Sequence, residues 1–350
     1  MSLAEFRVVT EGQGYPQASV LVPTYHSSYL AQALSAILAQ RDVVLEILIS
    51  DDASADDTPQ RILAQLRTYH GPHRVLFRQG RQRLRLDHFI LLAEAASCEI
   101  AIMAHHDDIV LPQRASRLLD LFATTGADVI SSNCMIIDAK GRQRGPRIHG
   151  LTTGFIPVEQ IIQQVWLPPF LGATLAWRRR VYADFPRLDT RYLSVGHDCL
   201  IPLRGALCNG FYYVDESLLQ RRDHATQWSK RMFDRKSRLT RKEADAARLL
   251  NIALAMHKDI THLSHSETSI ASDAVHRLDQ LAGLATQSLI CQATAMFDWR
   301  AQLMLAGQQV IWVDAATFAT RQRRSLIRRL LQSERLRPIK DWLKRWLHPT

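Results

Sequence analysis

ASVLVPTY (Ala18–Tyr25), followed after one helical stretch by LEILISDDASADDT (Leu45–Thr58), is the segment that decides the architecture. The first run is short, apolar and rich in valine, as a strand buried on both faces is, and it stops at Pro23. A turn follows at Thr24–Ser28. Leu30, Leu34, Ile37 and Leu38 then recur at the spacing of a helix that packs one face back on the strand, with Ser27 or Ser28 available as its cap. The second run, Leu45–Ser50, ends on Asp51-Asp52. A loop then leads to Thr58-Pro59, a cap followed by proline at the first helical position, and to a helix through Ile62, Leu63 and Leu66. This is strand, helix, strand, helix.

The same alternation continues downstream. Arg74–Arg78 reads as a weak strand and Phe89–Ala96 as a helix. Glu99–Ala104 is a strand whose end carries His105-His106-Asp107-Asp108; Leu111-Pro112 and an amphipathic helix with Leu118, Leu119 and Phe122 come next, then a strand over Ala127–Asn133. Strands and helices at this spacing predict an α/β fold with a mostly parallel sheet, and such sheets place ligand sites at the carboxyl ends of their strands. Beyond Gly141 the runs shorten and Pro and Gly are frequent up to about Ser229. Asp234–Ala306 is nearly free of both, which predicts a second, all-helical region. No internal repeat is present.

Composition narrows the class further. A chain of 350 residues with 47% hydrophobic and 22% charged residues has the makeup of a folded globular protein, not of a collagenous or disordered one. No apolar run reaches the roughly 18 residues of a spanning helix, and Met1–Thr10 lacks a basic segment followed by an apolar one, so neither secretion nor membrane spanning is expected. The five cysteines are far apart and never in a CxxC pair, which argues against a disulfide framework or a thiolate zinc site and fits a reducing cytoplasm. The net charge is +10, but Arg321–Thr350 holds ten Lys or Arg against Glu334 and Asp341, so +8 of it lies in the last thirty residues. Basicity is thus a property of the tail, and nucleic acid is not expected as a partner. Ile339, Trp342, Leu343, Trp346 and Leu347, interleaved with Lys340, Lys344 and Arg345, have the spacing of an amphipathic helix lying in an anionic membrane interface; docking on protein is the other use of such a stripe.

Three carboxylate groups, Asp51-Asp52, Asp107-Asp108 and Asp198, are distant in sequence but converge if each follows a strand of one sheet. Adjacent acids repel, and a hard divalent ion shared with ligand phosphates is the usual way to offset that cost. Taken singly, each pair could equally serve as a loop or turn cap.

Six stretches in order then resemble the family 2 glycosyltransferases: ASVLVPTY, ILISDDASADDT, HHDDIVLP (His105–Pro112), FLGATLAWRRRV (Phe170–Val181), GHDCLI (Gly196–Ile201) and LLQRRDHATQWS (Leu218–Ser229). The resemblance covers about residues 18–230. It implies a GT-A, Rossmann-like fold: a mixed, mostly parallel sheet flanked by helices, here with the helical region appended. The corresponding division is an N-terminal extension at 1–17, a catalytic domain at 18–232, a helical C-terminal region at 233–320 and the basic tail at 321–350.

The implied activity is inverting transfer of a sugar from a UDP- or dTDP-linked donor to a saccharide or lipid-linked acceptor in surface glycan synthesis, with Mn²⁺ or Mg²⁺ as cofactor. The location implied is cytoplasmic, with peripheral attachment to the inner face of the membrane. By the same resemblance Pro23, Thr24 and Tyr25 line the nucleotide pocket, and Asp52 accepts a hydrogen bond from the base imide with Asp51 beside it. His105 replaces the first acid of the family's Asp-x-Asp, Asp107 takes the place of the metal-binding acid, and His106 counts with the donor-binding residues. A histidine at the first position favours a borderline ion such as Mn²⁺. Asp198 falls where the family has its catalytic base. Arg222 corresponds to an arginine at the diphosphate, His224 to a histidine that completes the metal shell, and Gly172 permits close backbone approach near the donor sugar. Two other classes compete: a metal phosphohydrolase built on the pairs His106-Asp107 and His197-Asp198, which calls for the pair inside a helix, and a non-catalytic basic module binding membrane or nucleic acid.

Overall fold

The structure, a computed structural model, describes residues 6–147, 150–163, 170–188, 197–225 and 227, together with 252, 255, 256, 258–260, 262, 263 and 280. The chain divides into two compact units, one of Met1–Leu188 with Val195–Arg231, the other of Asp189–Ser194 with Met232–Thr350.

In the first unit the decisive segment folds as its pattern dictates. β2 (Ala18–Thr24) and β3 (Leu45–Asp51) are buried along nearly their whole length, as strands covered on both faces must be, and they pair in parallel from Ala18 opposite Leu45 to Thr24 opposite Asp51. α1 (Leu30–Leu38) buries Leu30, Ala33, Leu34 and Ile37, and α2 (Thr58–Arg67) buries Ile62 and Leu66. Parallel strands need such a crossover between them. Each fully buried Leu, Ile or Val side chain contributes about 1.5–3 kcal/mol of transfer free energy, so these two helices hold the sheet through a handful of residues. The expected serine cap of α1 is not formed. Tyr29 occupies that position, and Ser27 Oγ instead donates 3.0 Å to the carbonyl of His106, tying the loop after β2 to the acidic motif.

The remaining elements are β1 (Arg7–Thr10), β4 (Arg74–Gln79), α3 (Leu86–Ala95), β5 (Ile100–Met103), β6 (Ile109–Val110), α4 (Arg114–Thr125), β7 (Val129–Ile137), β8 (Gln143–Pro146), β9 (Gly154–Ile156), α5 (Val158–Gln163), β10 (Leu175–Arg178), α6 (Arg180–Ala183), α7 (His197–Leu207) and β11 (Phe211–Arg222). Among the described residues they form one sheet of eleven strands in the order β1-β4-β3-β2-β5-β10-β7-β11-β6, with β8 on β7 and β9 on β11. β4, β3, β2 and β5 pair in parallel; β10 runs antiparallel between β5 and β7, which restores the common direction for β7 and its parallel partner β11. The sheet is therefore mixed and mostly parallel, with helices flanking it, as expected. α4 closes on Gly126 at φ 69, a left-handed turn that glycine adopts without a Cβ clash.

Residues 7–10, expected in an extension outside the domain, pair antiparallel with β4 as an edge strand. In the second unit Ile252, Met256 and Ile260 are helical and buried at four-residue spacing. The rest of 233–320 and the whole tail at 321–350 lie outside the described residues.

Candidate functional site

The carboxyl ends of β2, β3 and β5 lie side by side, so the loops they feed meet at one rim. At the end of β3, Asp51 is fully buried and its carboxylate accepts hydrogen bonds from Ser54 N–H at 2.8 Å, Ser54 Oγ at 2.6 Å and Thr24 Oγ1 at 3.3 Å. Asp51 thus builds the turn. Asp52 next to it accepts from the backbone N–H groups of Leu84 at 2.6 Å and Arg85 at 3.0 Å, with Arg83 Nε 4.0 Å away. A carboxylate has about four acceptor positions, so Asp52 retains room for a ligand donor while it holds the loop before α3. Ala53 at φ 59 and Arg85 at φ 60 sit in left-handed backbone at the two ends of this contact, a conformation that packing must maintain. Tyr25 is half-buried beside Pro23, and the Arg83 guanidinium lies 4.0 Å from the centre of its ring. Sequence reasoning did not single out Arg83; only the folded loop brings it over Tyr25.

The motif His105–Asp108 occupies the turn between β5 and β6. His106 Nδ1 lies 2.8 Å from Ser27 Oγ, so His106 is a link between loops. His105, Asp107 and Asp108 each offer a ligand atom within 4.8 Å of the others. Their electrostatics favour a cation. Burial pushes the His105 imidazole down to about 4, which leaves it neutral near pH 7, as a ligand must be. Burial acts to raise the Asp107 carboxyl, but the hydrogen bond with His224 and the neighbouring His106 and His105 outweigh it and hold the group well below the usual carboxylate range. Asp108, buried and next to that charge, is pushed up instead. Two adjacent carboxylates and a neutral imidazole fit Mn²⁺ in ligand chemistry and accept Mg²⁺ less readily. The sequence names Asp107-Asp108 as one acidic pair, and the family pattern points to Asp107 within it; the fold brings Asp108 into the same group.

His224 Nε2 stands 3.0 Å from Asp107 Oδ2, and its ring lies 4.8 Å from that of Tyr29. In this structure it orients the Asp107 carboxylate, and the group that can close on one ion is made by His105, Asp107 and Asp108.

Gly172 begins a short 3-10 turn, Gly172–Thr174, that leads into β10. A Cβ on it would lie 3.0 Å from His197 Nε2 and 3.8 Å from His105 Cε1, so the absent side chain lets His197 and the acidic motif approach across it. His197 stacks on Phe89 at 4.5 Å between ring centres. Asp198 follows in the first turn of α7, half-buried. Pro202 cannot donate to the Asp198 carbonyl, which removes that carbonyl's usual intrahelical donor. His105, Gly172, His197 and Asp198 are therefore neighbours, although β7 and several loops separate them in sequence.

Arg222 holds several internal partners. Its guanidinium is buried and donates from Nε to Asp107 O at 3.2 Å, from Nη1 to Asp138 O and Ala139 O at 3.3 Å each, and from Nη2 to Gln32 Oε1 at 2.7 Å, with the Tyr29 ring 4.4 Å from its centre. These bonds make it a brace between α1, the acidic turn and the loop after β7. Of the two His-Asp pairs, His106-Asp107 lies in a turn after a strand and His197-Asp198 in the first turn of α7, so only the second has the helical setting that the phosphohydrolase reading needs.

Residues 19–185 match the model of Glycosyl transferase family 2. The uncharacterized glycosyltransferase alr2836 of Nostoc sp. (strain PCC 7120) is 28% identical over 195 residues, 52% of this chain and 58% of that protein. The succinoglycan biosynthesis protein ExoO of Rhizobium meliloti (strain 1021) is 24% identical over 217 residues, 58% of this chain and 59% of its own length. The matched part thus spans less than two thirds of each of these relatives. Among solved structures, S. aureus TarS 1–349 in complex with UDP-GlcNAc is similar at a TM-score of 0.49 and 18% identity, over 80% of this chain and 83% of that one. Residues 19–185 thus carry the pattern of glycosyl transferase family 2.

Proposed function

We propose that the protein is an inverting, metal-dependent glycosyltransferase of glycan synthesis that moves a sugar from a UDP- or dTDP-linked donor to a saccharide or lipid-linked acceptor. The observation that carries the reading is the three-ligand group His105, Asp107 and Asp108 at the strand ends, with Asp52 on the adjoining β3 side and His197-Asp198 reached across Gly172. ExoO is named as a biosynthesis protein of succinoglycan, and TarS is solved with UDP-GlcNAc and with UDP; both support a nucleotide-sugar donor and a glycan product.

The base and ribose enter where Pro23, Thr24 and Tyr25 leave β2, and Asp52 accepts the imide N–H that uracil and thymine share. Asp107, oriented by His224, and Asp108 with His105 would hold the divalent ion. When bound, that ion neutralises charge on the departing nucleoside diphosphate. Asp198 removes the proton from the acceptor hydroxyl. The oxygen then attacks the anomeric carbon from the face opposite the diphosphate, the bond to the diphosphate breaks, and the product carries inverted configuration. Among the described residues no helix is long and apolar enough to cross a membrane. Attachment to the cytoplasmic face is assigned to the basic tail, which lies outside the described residues.

The test is a screen of UDP, dTDP and their sugars by thermal shift with and without Mn²⁺, followed by Asp198→Asn. A stabilising ligand that requires the metal, together with an Asp198→Asn chain that still binds it but transfers at least about a hundredfold more slowly, is the expected result. Undiminished turnover by Asp198→Asn removes the base assignment. Stabilisation by nucleotide that ignores EDTA removes the metal.

A further inference from the structure

β11 ends in two adjacent arginines, and the pleat of a strand sends neighbouring side chains to opposite faces. Arg222 goes inward and its guanidinium is taken up by carbonyls and Gln32, as described above. Arg221 goes the other way. It is half-buried, and among the described residues it makes no hydrogen bond or ion pair of its own side chain. A cation that a fold leaves uncommitted beside a metal group is a candidate for binding the anion that the metal would share.

The register fixes where Arg221 stands. Gln220, one residue earlier, pairs with Ile109 of β6, and Arg222, one residue later, donates its backbone N–H to Asp108 Oδ1 at 2.9 Å. Arg221 is thereby anchored on the strand that flanks the acidic turn, and its charge is felt by both His105 and Asp108. Arg147, next to β8, is near enough to feel it as well. Arg221 is thus the cation next to the two carboxylates and the imidazole of the acidic turn that the fold leaves without a hydrogen bond among the described residues. A diphosphate bridging a divalent ion needs positive charge of that kind on its far oxygens, and a planar guanidinium can meet two phosphate oxygens at once.

We propose that Arg221, and not Arg222, is the arginine that contacts the diphosphate of the nucleotide-sugar. The inference rests on the transferase reading given above. Arg221 stabilises the nucleoside diphosphate both in the donor and as it leaves, while Arg222 keeps the loops after β2, β5 and β7 in place.

The full-length chain is titrated calorimetrically with UDP and with dTDP in the presence of Mn²⁺, with uridine as the phosphate-free control. Wild type is compared with Arg221→Met and Arg221→Lys, and thermal melting checks that each variant is folded. Arg221→Met is expected to weaken UDP binding roughly 10- to 100-fold, Arg221→Lys less, with uridine binding and melting temperature unchanged. Equal UDP and dTDP binding by wild type and Arg221→Met overturns this assignment and leaves the transferase reading in place. A wild-type chain that binds neither nucleotide with Mn²⁺ present overturns both.

Discussion

Asp107 and Asp108 are consecutive, yet the fold pushes their carboxyl groups in opposite directions. Asp107 is paired with His224 and stays ionised, whereas Asp108 is buried beside that charge and its Oδ1 is engaged by the Arg222 N–H. Removing the ionisable group therefore has different consequences at the two positions. Asp108→Asn keeps an acceptor for Arg222 and relieves repulsion, so the metal-free protein should be as stable as wild type or more so. Mn²⁺ affinity, read by calorimetry, should fall about tenfold because one carboxylate ligand is gone. A variant with unchanged Mn²⁺ affinity would exclude Asp108 from the ion's shell. The residue types of this cluster were legible in HHDDIVLP; the division of labour was not, because it depends on His224 and Arg222 arriving from a strand more than a hundred residues later.

At the scale of elements, the start of β3 is held partly by a side chain of the preceding edge of β4. His73 is fully buried, and its Nδ1 accepts the Leu45 N–H at 3.3 Å. Burial lowers its pKa below the ordinary 6.5. His88 on α3 behaves in the same way, pushed down to about 4 mainly by burial. The sign follows from linkage. In both cases the unfolded chain takes up a proton before the folded one does, so stability is complete above about pH 6.5 and declines as the pH falls toward the folded values. The unfolding free energy from urea titrations across that range should drop with falling pH, by up to about 1.4 kcal/mol per pH unit for each of the two sites. His73→Gln should remove its share of the slope, and an unaltered slope would show that His73 is solvated. Period and punctuation foretold β2, β3, α1, α2 and α4 within a few residues of their observed bounds, because each buries a contiguous apolar pattern of its own. They did not foretell β1, β8, β9 or β10. Those strands are three or four residues long, and β10 is a strand only because Ala176 and Trp177 fit antiparallel between β5 and β7. Pairing of that kind is decided by distant partners, not by local pattern.

For the whole molecule, the charge distribution makes the sharpest prediction. With +8 of a net +10 in residues 321–350, a chain ending at residue 320 should lose cosedimentation with vesicles containing phosphatidylglycerol, and it should bind UDP with Mn²⁺ as the full chain does. Persistent vesicle binding would place the attachment elsewhere. By itself the sequence determined the alternation of strand and helix, the strand ends at which Asp51-Asp52 and His105–Asp108 stand, and the family, because buried strands, crossover helices and strand-end motifs are written in contiguous residues. Only the tertiary structure decided that His105, Asp107 and Asp108 converge, that His197 and His105 both approach Gly172, and which of two neighbouring arginines is enclosed. Those outcomes depend on strand register and on which face of a pleat a side chain takes, and both are set by partners far away along the chain.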